Sequence, residues 1–402
     1  MKLLYVTAEV PWPLTSGYLR HFHFLRGLSA RHDITHLSLT RRPAVPQEAW
    51  PELAPYVDRL QVFGEGAPGA SPTARSLRLR RAAGELRRAV AAEMAGGGYD
   101  AVLVSGKDTF PVLSAVGDTP LVIDVCDAAS IRLAGELAVT SQTRRRAMLR
   151  VRLAEIRSIE RRIVTKTPHL LFASERDREA VGARSGTIVP NGVDLEYWTR
   201  GRASSDRPAI AFSGAMAYRP NDDAAQRLVR GILPLVRASV PDAGVILAGR
   251  DPLARLRADA QEAGGVTVTG TVDDLRPHLE EAAVYCAPLR FAAGIQNKLL
   301  EALAMELPVV TTPIAAAGLV AGSAAAPVVI AEDDTTLAAA IVDLLADPAQ
   351  RERRAAAGRA FVVEHFSWPS AVARVDAVLH EAAGRPATAS VAASAPGEGA
   401  GA

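Results

Sequence analysis

Short apolar runs alternate with amphipathic stretches along most of the chain. Residues 3–8, 34–39, 101–105, 121–125, 170–174 and 187–190 are dominated by Leu, Val, Ile and Ala. Continuous apolar runs of this length predict strands buried on both faces, as in a parallel sheet. Residues 18–30 follow a helical period, with Phe22, Leu25 and Leu28 as core candidates, and residues 75–94 read as a basic helix. Residues 40–70 are proline-rich and read as irregular. After a polar stretch at 201–208 the pattern restarts, with strands predicted at 209–213, 245–248, 266–270, 284–287, 309–312 and 328–330. Helices are predicted at 335–346 and 348–364, with a last one entered through Phe366-Ser367-Trp368. Strand, glycine-bearing loop, helix and strand make one βαβ unit, so the class is α/β with doubly wound domains. From Ala387 onward Ala, Ser, Gly and Pro dominate, and a disordered tail is expected over 387–402.

Composition narrows this picture. A chain of 402 residues accommodates two domains, divided here into 1–200 and 209–365. A net charge of +2 makes no case for nucleic acid. Cys126 and Cys286 each sit in an apolar strand-like run and read as buried free thiols, consistent with a cytoplasmic location. The first eight residues read as a strand rather than a signal peptide, and no apolar run approaches membrane-spanning length. Between Arg144 and Arg162 lie eight arginines interleaved with Met148, Leu149, Val151, Leu153 and Ile156. Such a helix either lies on an anionic membrane face as a peripheral contact or covers the sheet as a solvated helix.

The candidate chemistry concentrates in residues 288–319. Gly294 precedes a helix whose buried face is Leu299, Leu300 and Leu303. Glycine lets backbone approach a ligand closely, and the free N–H groups of a first turn, including those around Ile295 and Gln296, suit a phosphate. Lys298 and Glu301 are three apart and share one helix surface, a cation for phosphate oxygens beside a carboxylate for ribose hydroxyls. Only four lysines occur in the chain, so Lys298 stands out where arginine is the default cation. A second strand–glycine–helix junction at Gly214, followed by Arg219, frames another phosphate site. Gly17, in the loop after the first strand, is either a cleft glycine of the βαβ unit or a plain turn glycine. Asp124, Asp127 and Ser130 close a strand at the sheet edge where α/β folds bind ligands, though Asp127 equally suits a helix cap. His21 and His23 are two apart on a helix and face different ways, so no metal pair is expected; His23 is read as packed and His21 as exposed or at the cleft.

Gly294, Lys298, Glu301, Ala302, Pro308 and the run Ala316-Ala317-Gly318-Leu319 resemble the donor-binding segment of family-four retaining glycosyltransferases, which have the GT-B fold. Pro190-Asn191-Gly192-Val193-Asp194 resembles that family's run before the interdomain linker, and Gly214-Ala215-Met216-Ala217-Tyr218-Arg219-Pro220-Asn221 resembles a run of its polysaccharide-type members. The resemblance covers roughly residues 1–385. It implies two Rossmann-like domains facing a cleft, the first completed by a helix over 366–385. It also implies a nucleotide-sugar on the second domain and a saccharide, lipid-linked or small-molecule acceptor on the first. Transfer would proceed with retention and without metal or cofactor. Lys298, helped by Arg290 or Arg219, would stabilise the leaving diphosphate, with Asp127 near the donor sugar. Gly17, Gly214, Arg219, Gly294, Ile295, Gln296 and Glu301 would bind the donor, and residues 271–275 would cradle the base. Ala293 departs from the family pattern, which places a glutamate there. That departure keeps open a pseudo-glycosyltransferase, a nucleotide-sugar-binding protein without turnover, and a UDP-sugar 2-epimerase of the same fold.

Overall fold

The computed structural model describes residues 1–12, 18–42, 44–66, 69, 71–201, 205 and 207–386. Two parallel sheets organise them. The first contains β1 (Lys2–Thr7), β2 (Asp33–Leu39), β3 (Arg59–Phe63), β4 (Ala101–Ser105), β5 (Leu121–Cys126), β6 (Leu170–Phe172) and β7 (Thr187–Ile188), in the order β3-β2-β1-β4-β5-β6-β7. The second contains β8 (Ala209–Ser213), β9 (Gly244–Ala248), β10 (Val266–Gly270), β11 (Val284–Ala287) and β12 (Val309–Thr311). A hairpin of β13 (Val320–Ala321) and β14 (Ala324–Ala325) precedes its sixth strand, β15 (Val329–Ile330), and the sheet order is β10-β9-β8-β11-β12-β15. Both orders run outward from a first strand and then reverse. That leaves a topological switch point between β1 and β4 in one sheet and between β8 and β11 in the other, where α/β folds bind ligands.

The continuous apolar runs are buried because helices cover both faces of each sheet. Leu3, Tyr5, Phe24, Leu25 and Leu103 form one core beneath the Leu19–Ser29 helix, and Leu4, Val6, Leu86 and Val104 form another beneath the Pro72–Gly96 helix. In the second sheet, Ile210, Phe212, Val284, Leu299 and Leu303 share a single core. Region 40–70, read as irregular, contains β3. That strand lies at the sheet edge with only Phe63 buried, so its sequence lacks the apolar run of an inner strand.

The C-terminal helix Trp368–Ala382 packs against the first sheet's core through Trp368, Ala371, Val375, Val378 and Leu379. The backbone leads it there: the Val193 N–H donates to the Phe366 carbonyl at 2.9 Å. A Cβ on Gly192 would come within 2.3 Å of the Trp368 nitrogen, so only glycine lets these segments touch. A buried clasp adds to the contact: Asp376 accepts from Arg31 at 2.9 Å and lies 2.7 Å from His32 Nε2. The arginine-rich helix Thr143–Ile163 buries Leu149 and Leu153 against Leu133 of the Ala129–Val139 helix, leaving Met148 and Val151 exposed. No helix among the described residues is long and apolar enough to cross a membrane.

Candidate active site

The second sheet's switch point holds the lysine. β8 is followed by Gly214, whose φ is +145°, a conformation that L side chains rarely adopt. A Cβ there would lie 2.6 Å from Asn221 Nδ2 and 3.0 Å from Lys298 Nζ. Gly249 follows β9, and a Cβ there would meet the Gly214 carbonyl oxygen at 2.0 Å. Glycine at 249 lets the two loops touch, and glycine at 214 admits the lysine. Lys298 stands in the first turn of the Asn297–Ala304 helix, donates to Asn221 Oδ1, and lies 4.7 Å from the centre of the Phe212 ring. Asn221 is itself aimed, its amide donating to the Ala215 carbonyl at 3.0 Å. Burial pushes the Lys298 ammonium down to about 7, with the Glu301 charge acting the other way. Burial pushes the Glu301 carboxyl up to about 7, opposed by Lys298.

The loop from β11 to this helix turns at Gly294, φ +64°. Its N–H donates to Asp177 Oδ1 of the first half at 3.2 Å, and Asp177 also accepts the Ala128 N–H at 2.9 Å. Burial raises the Asp177 pKa, and the hydrogen bonds that it accepts lower it. A Cβ on Gly294 would lie 3.0 Å from the Asp127 Cβ, so Asp127 of the first half faces the Gly294 loop of the second. Beneath the loop, a Cβ on Gly318 would come within 2.9 Å of the Gly294 carbonyl oxygen and 3.1 Å of the Ile295 Cα.

A buried relay ties the halves together. Arg20 donates to Asp124 through Nε at 2.9 Å and Nη2 at 2.8 Å, and through Nη1 to the Val189 carbonyl at 2.7 Å and Asn191 Oδ1 at 3.0 Å. Asn191 then donates to Asn297 Oδ1 at 2.8 Å, one residue before Lys298. Burial raises the Asp124 pKa, but the adjacent guanidinium outweighs it and holds the carboxylate below its usual range.

The remaining candidates are placed as follows. Arg290 forks onto Asp223, with Nε at 2.8 Å. Arg219 lies between Glu136 of the first half at 3.5 Å and Asp222 at 3.6 Å. Gln296 precedes the Asn297–Ala304 helix and its side chain donates to the Ala293 carbonyl at 3.0 Å. Lys298 meets Gly214 at the second switch point with Glu301 one turn on, and Gly294 and Ile295 lie in the loop before that helix, where Asp127 approaches Gly294. Gly17 lies outside the described residues. His21, expected to be exposed or at the cleft, is instead buried against Tyr5, 3.3 Å from its hydroxyl, because its position faces β1. His23 stacks on Trp368 at 4.2 Å between ring centres. Among the described residues, no group of three or more His, Cys, Asp or Glu is placed to hold a metal ion.

Asn221, Asn191, Asp177 and Arg20 were not singled out as site residues. The first two stood inside recognised runs. Asp177 follows Ser174 by three positions at a helix start, a visible capping pattern. Arg20 gave no local signal, because its partner is 104 residues away.

Residues 207–347 match the family described as Glycosyl transferases group 1. No curated protein matches the chain. Among solved structures, sucrose-phosphate synthase from Thermosynechococcus elongatus is similar at a TM-score of 0.73 and 17% identity, covering 95% of this chain and 99% of its own. HepE from Anabaena, solved with UDP and glucose, aligns at 0.65 and 13% identity over 95% of this chain and all of its own. A glycosyltransferase from Rickettsia africae aligns at 0.65 and 13% identity over 95% and 98%. The chain therefore has the GT-B fold, and residues 207–347 are similar to the Glycosyl transferases group 1 family.

Proposed function

We propose that the protein is a retaining, metal-independent glycosyltransferase that moves a sugar from a nucleoside diphosphate to an acceptor held by the first domain. The observation that carries this is Lys298, a half-buried ammonium beside Gly214 and held by the neutral Asn221; it stands in the first turn of the helix whose preceding loop meets Asp127 at Gly294. A diphosphate placed against Gly214 meets that charge and the first-turn N–H groups of the Asn297–Ala304 helix. As the glycosyl bond breaks, negative charge grows on the phosphate and Lys298 stabilises it in a site largely closed to water. The departing oxygen takes the acceptor's proton on the same face, so positioning replaces a protein nucleophile. Asp127 orients the sugar and Glu301 holds the ribose. Arg290 and Arg219, each engaged with carboxylates, act by holding the cleft's edges.

HepE's complex with UDP and glucose makes UDP-sugars the first donors to test. A mass-spectrometric screen of UDP-, GDP- and dTDP-sugars, with and without candidate acceptors, tests the reading. Acceptor-dependent release of nucleoside diphosphate supports it. Conversion of the sugar without acceptor indicates an epimerase. Binding with no product indicates a nucleotide-sugar receptor, a second reading favoured by Ala293, which brings no carboxylate to the position where the resembled family has one.

A further inference from the structure

The first sheet has its own switch point, and a cavity of about 820 Å³ opens there. Ala8 follows β1, Leu39 ends β2 and Lys107 follows β4, so three strand ends converge on it. That is the position at which open α/β sheets bind ligands, and the volume suits a small molecule. Leu79, Phe110, Leu113 and Ile163 give it apolar walls. Its cations are Arg41, Arg80, Lys107, Arg162 and Lys166, against one carboxylate, Asp108, which Arg41 already holds. Two of the chain's four lysines therefore line one cavity. Lys107 is half-buried, and its ammonium makes no hydrogen bond or ion pair among the described residues. Burial lowers its pKa, and of the charges around it Asp127 opposes that most strongly. Asp127, whose charge acts on Lys107, is also the residue that approaches Gly294.

We propose that this cavity is the acceptor site and that the acceptor is an anionic amphiphile, its apolar body between Leu79, Phe110 and Ile163 and its phosphate on Lys107 and Lys166. The proposal rests on the transfer reading above. An uncharged sugar would leave the half-buried Lys107 without a counter-charge and the apolar walls unmatched. A phosphate on an apolar body satisfies both, through charge-assisted hydrogen bonds and buried hydrocarbon. The occupant is a single molecule held in the cavity, not a bilayer face.

The test is calorimetric titration of the full chain with octyl phosphate, octanol and octyltrimethylammonium, followed by UDP on the same samples. Octyl phosphate should bind at least tenfold more tightly than the other two. Lys107→Ala/Lys166→Ala should lose that preference by tenfold or more, and the rim substitution Arg80→Ala should weaken it less, with UDP affinity unchanged in both. Equal binding of alcohol and phosphate overturns the proposal. So does unchanged octyl phosphate binding in the double variant, or binding to anionic phospholipid vesicles with none to octyl phosphate. In those cases an intact UDP titration leaves the transfer reading standing, whereas a wild-type protein that binds none of UDP, GDP and dTDP overturns that reading itself.

Discussion

At the scale of single residues, the account rests on a lysine kept close to neutrality until a phosphate arrives. Lys298→Ala should lower kcat by about a hundredfold or more, the range for losing an electrostatic stabiliser. Lys298→Arg should rescue poorly, since Nζ already lies 3.0 Å from where a Cβ on Gly214 would stand and a guanidinium is larger. Glu301→Gln should instead weaken nucleotide binding by about 1–3 kcal/mol, because the ribose is remote from the breaking bond. Steady-state kinetics beside titration with UDP separates the two effects. The pH dependence carries a definite sign. With Lys298 titrating near 7, the ammonium is mostly neutral at about pH 8, and a bound diphosphate favours its charged form. UDP binding at that pH should therefore take up protons. Below pH 7 the ammonium is already charged and the uptake fades, while Glu301, also titrating near 7, gives up a proton to accept ribose hydroxyls. Calorimetry in buffers of different ionisation heat measures this, and uptake that persists in Lys298→Ala would assign it elsewhere. Lys298 was legible in the sequence because lysine is scarce and Gly294 precedes it. Asn221 was visible as part of a run, but its role needed the fold, since 77 residues separate it from the lysine that it holds.

At the scale of elements, the site is made by strand ends that stop on glycine. Gly214→Ala would force a side chain into φ +145° and against the Asn221 amide, costing about 1–3 kcal/mol in backbone strain alone. The melting temperature should fall and UDP affinity with it; an alanine variant with wild-type affinity would show that the glycine is not what admits the ligand. The inner strands were legible because parallel strands covered on both faces read as continuous apolar runs. β3 was not, because an edge strand buries one end only. The Arg20–Asp124 pair was also invisible, since each residue alone looks like an ordinary helix or strand-end charge. Arg20→Ala leaves Asp124 buried and unpaired, which should destabilise the fold by about 3–5 kcal/mol in chemical denaturation.

At the scale of the whole molecule, the two halves are joined at the Gly294–Asn297 segment, at Ile314 and through the C-terminal helix. Asp177 holds the Gly294 N–H, Asn191 holds Asn297, Arg176 donates to the Ile314 carbonyl at 3.2 Å, and the C-terminal helix crosses back to the first core. Ending the chain before Phe366 would strip Trp368, Val375, Val378 and Leu379 from that core, where each fully buried apolar side chain contributes about 1.5–3 kcal/mol. Such a chain should melt well below the full protein and bind an apolar dye, and an unchanged melting temperature would remove this helix from the stability of the fold. The crossing was readable from Trp368 and its neighbours, whereas the side-chain ties were not, because each joins residues more than 100 positions apart. The whole arrangement serves one chemical claim: with the two halves closed on Lys298, a sugar leaves its diphosphate without metal and is replaced on the same face. The most direct measurement is proton NMR of the first sugar product formed from an α-linked UDP-sugar in EDTA. The account predicts undiminished turnover and an α-configured product, and a β-configured product, or turnover restored only by Mg²⁺ or Mn²⁺, would contradict it.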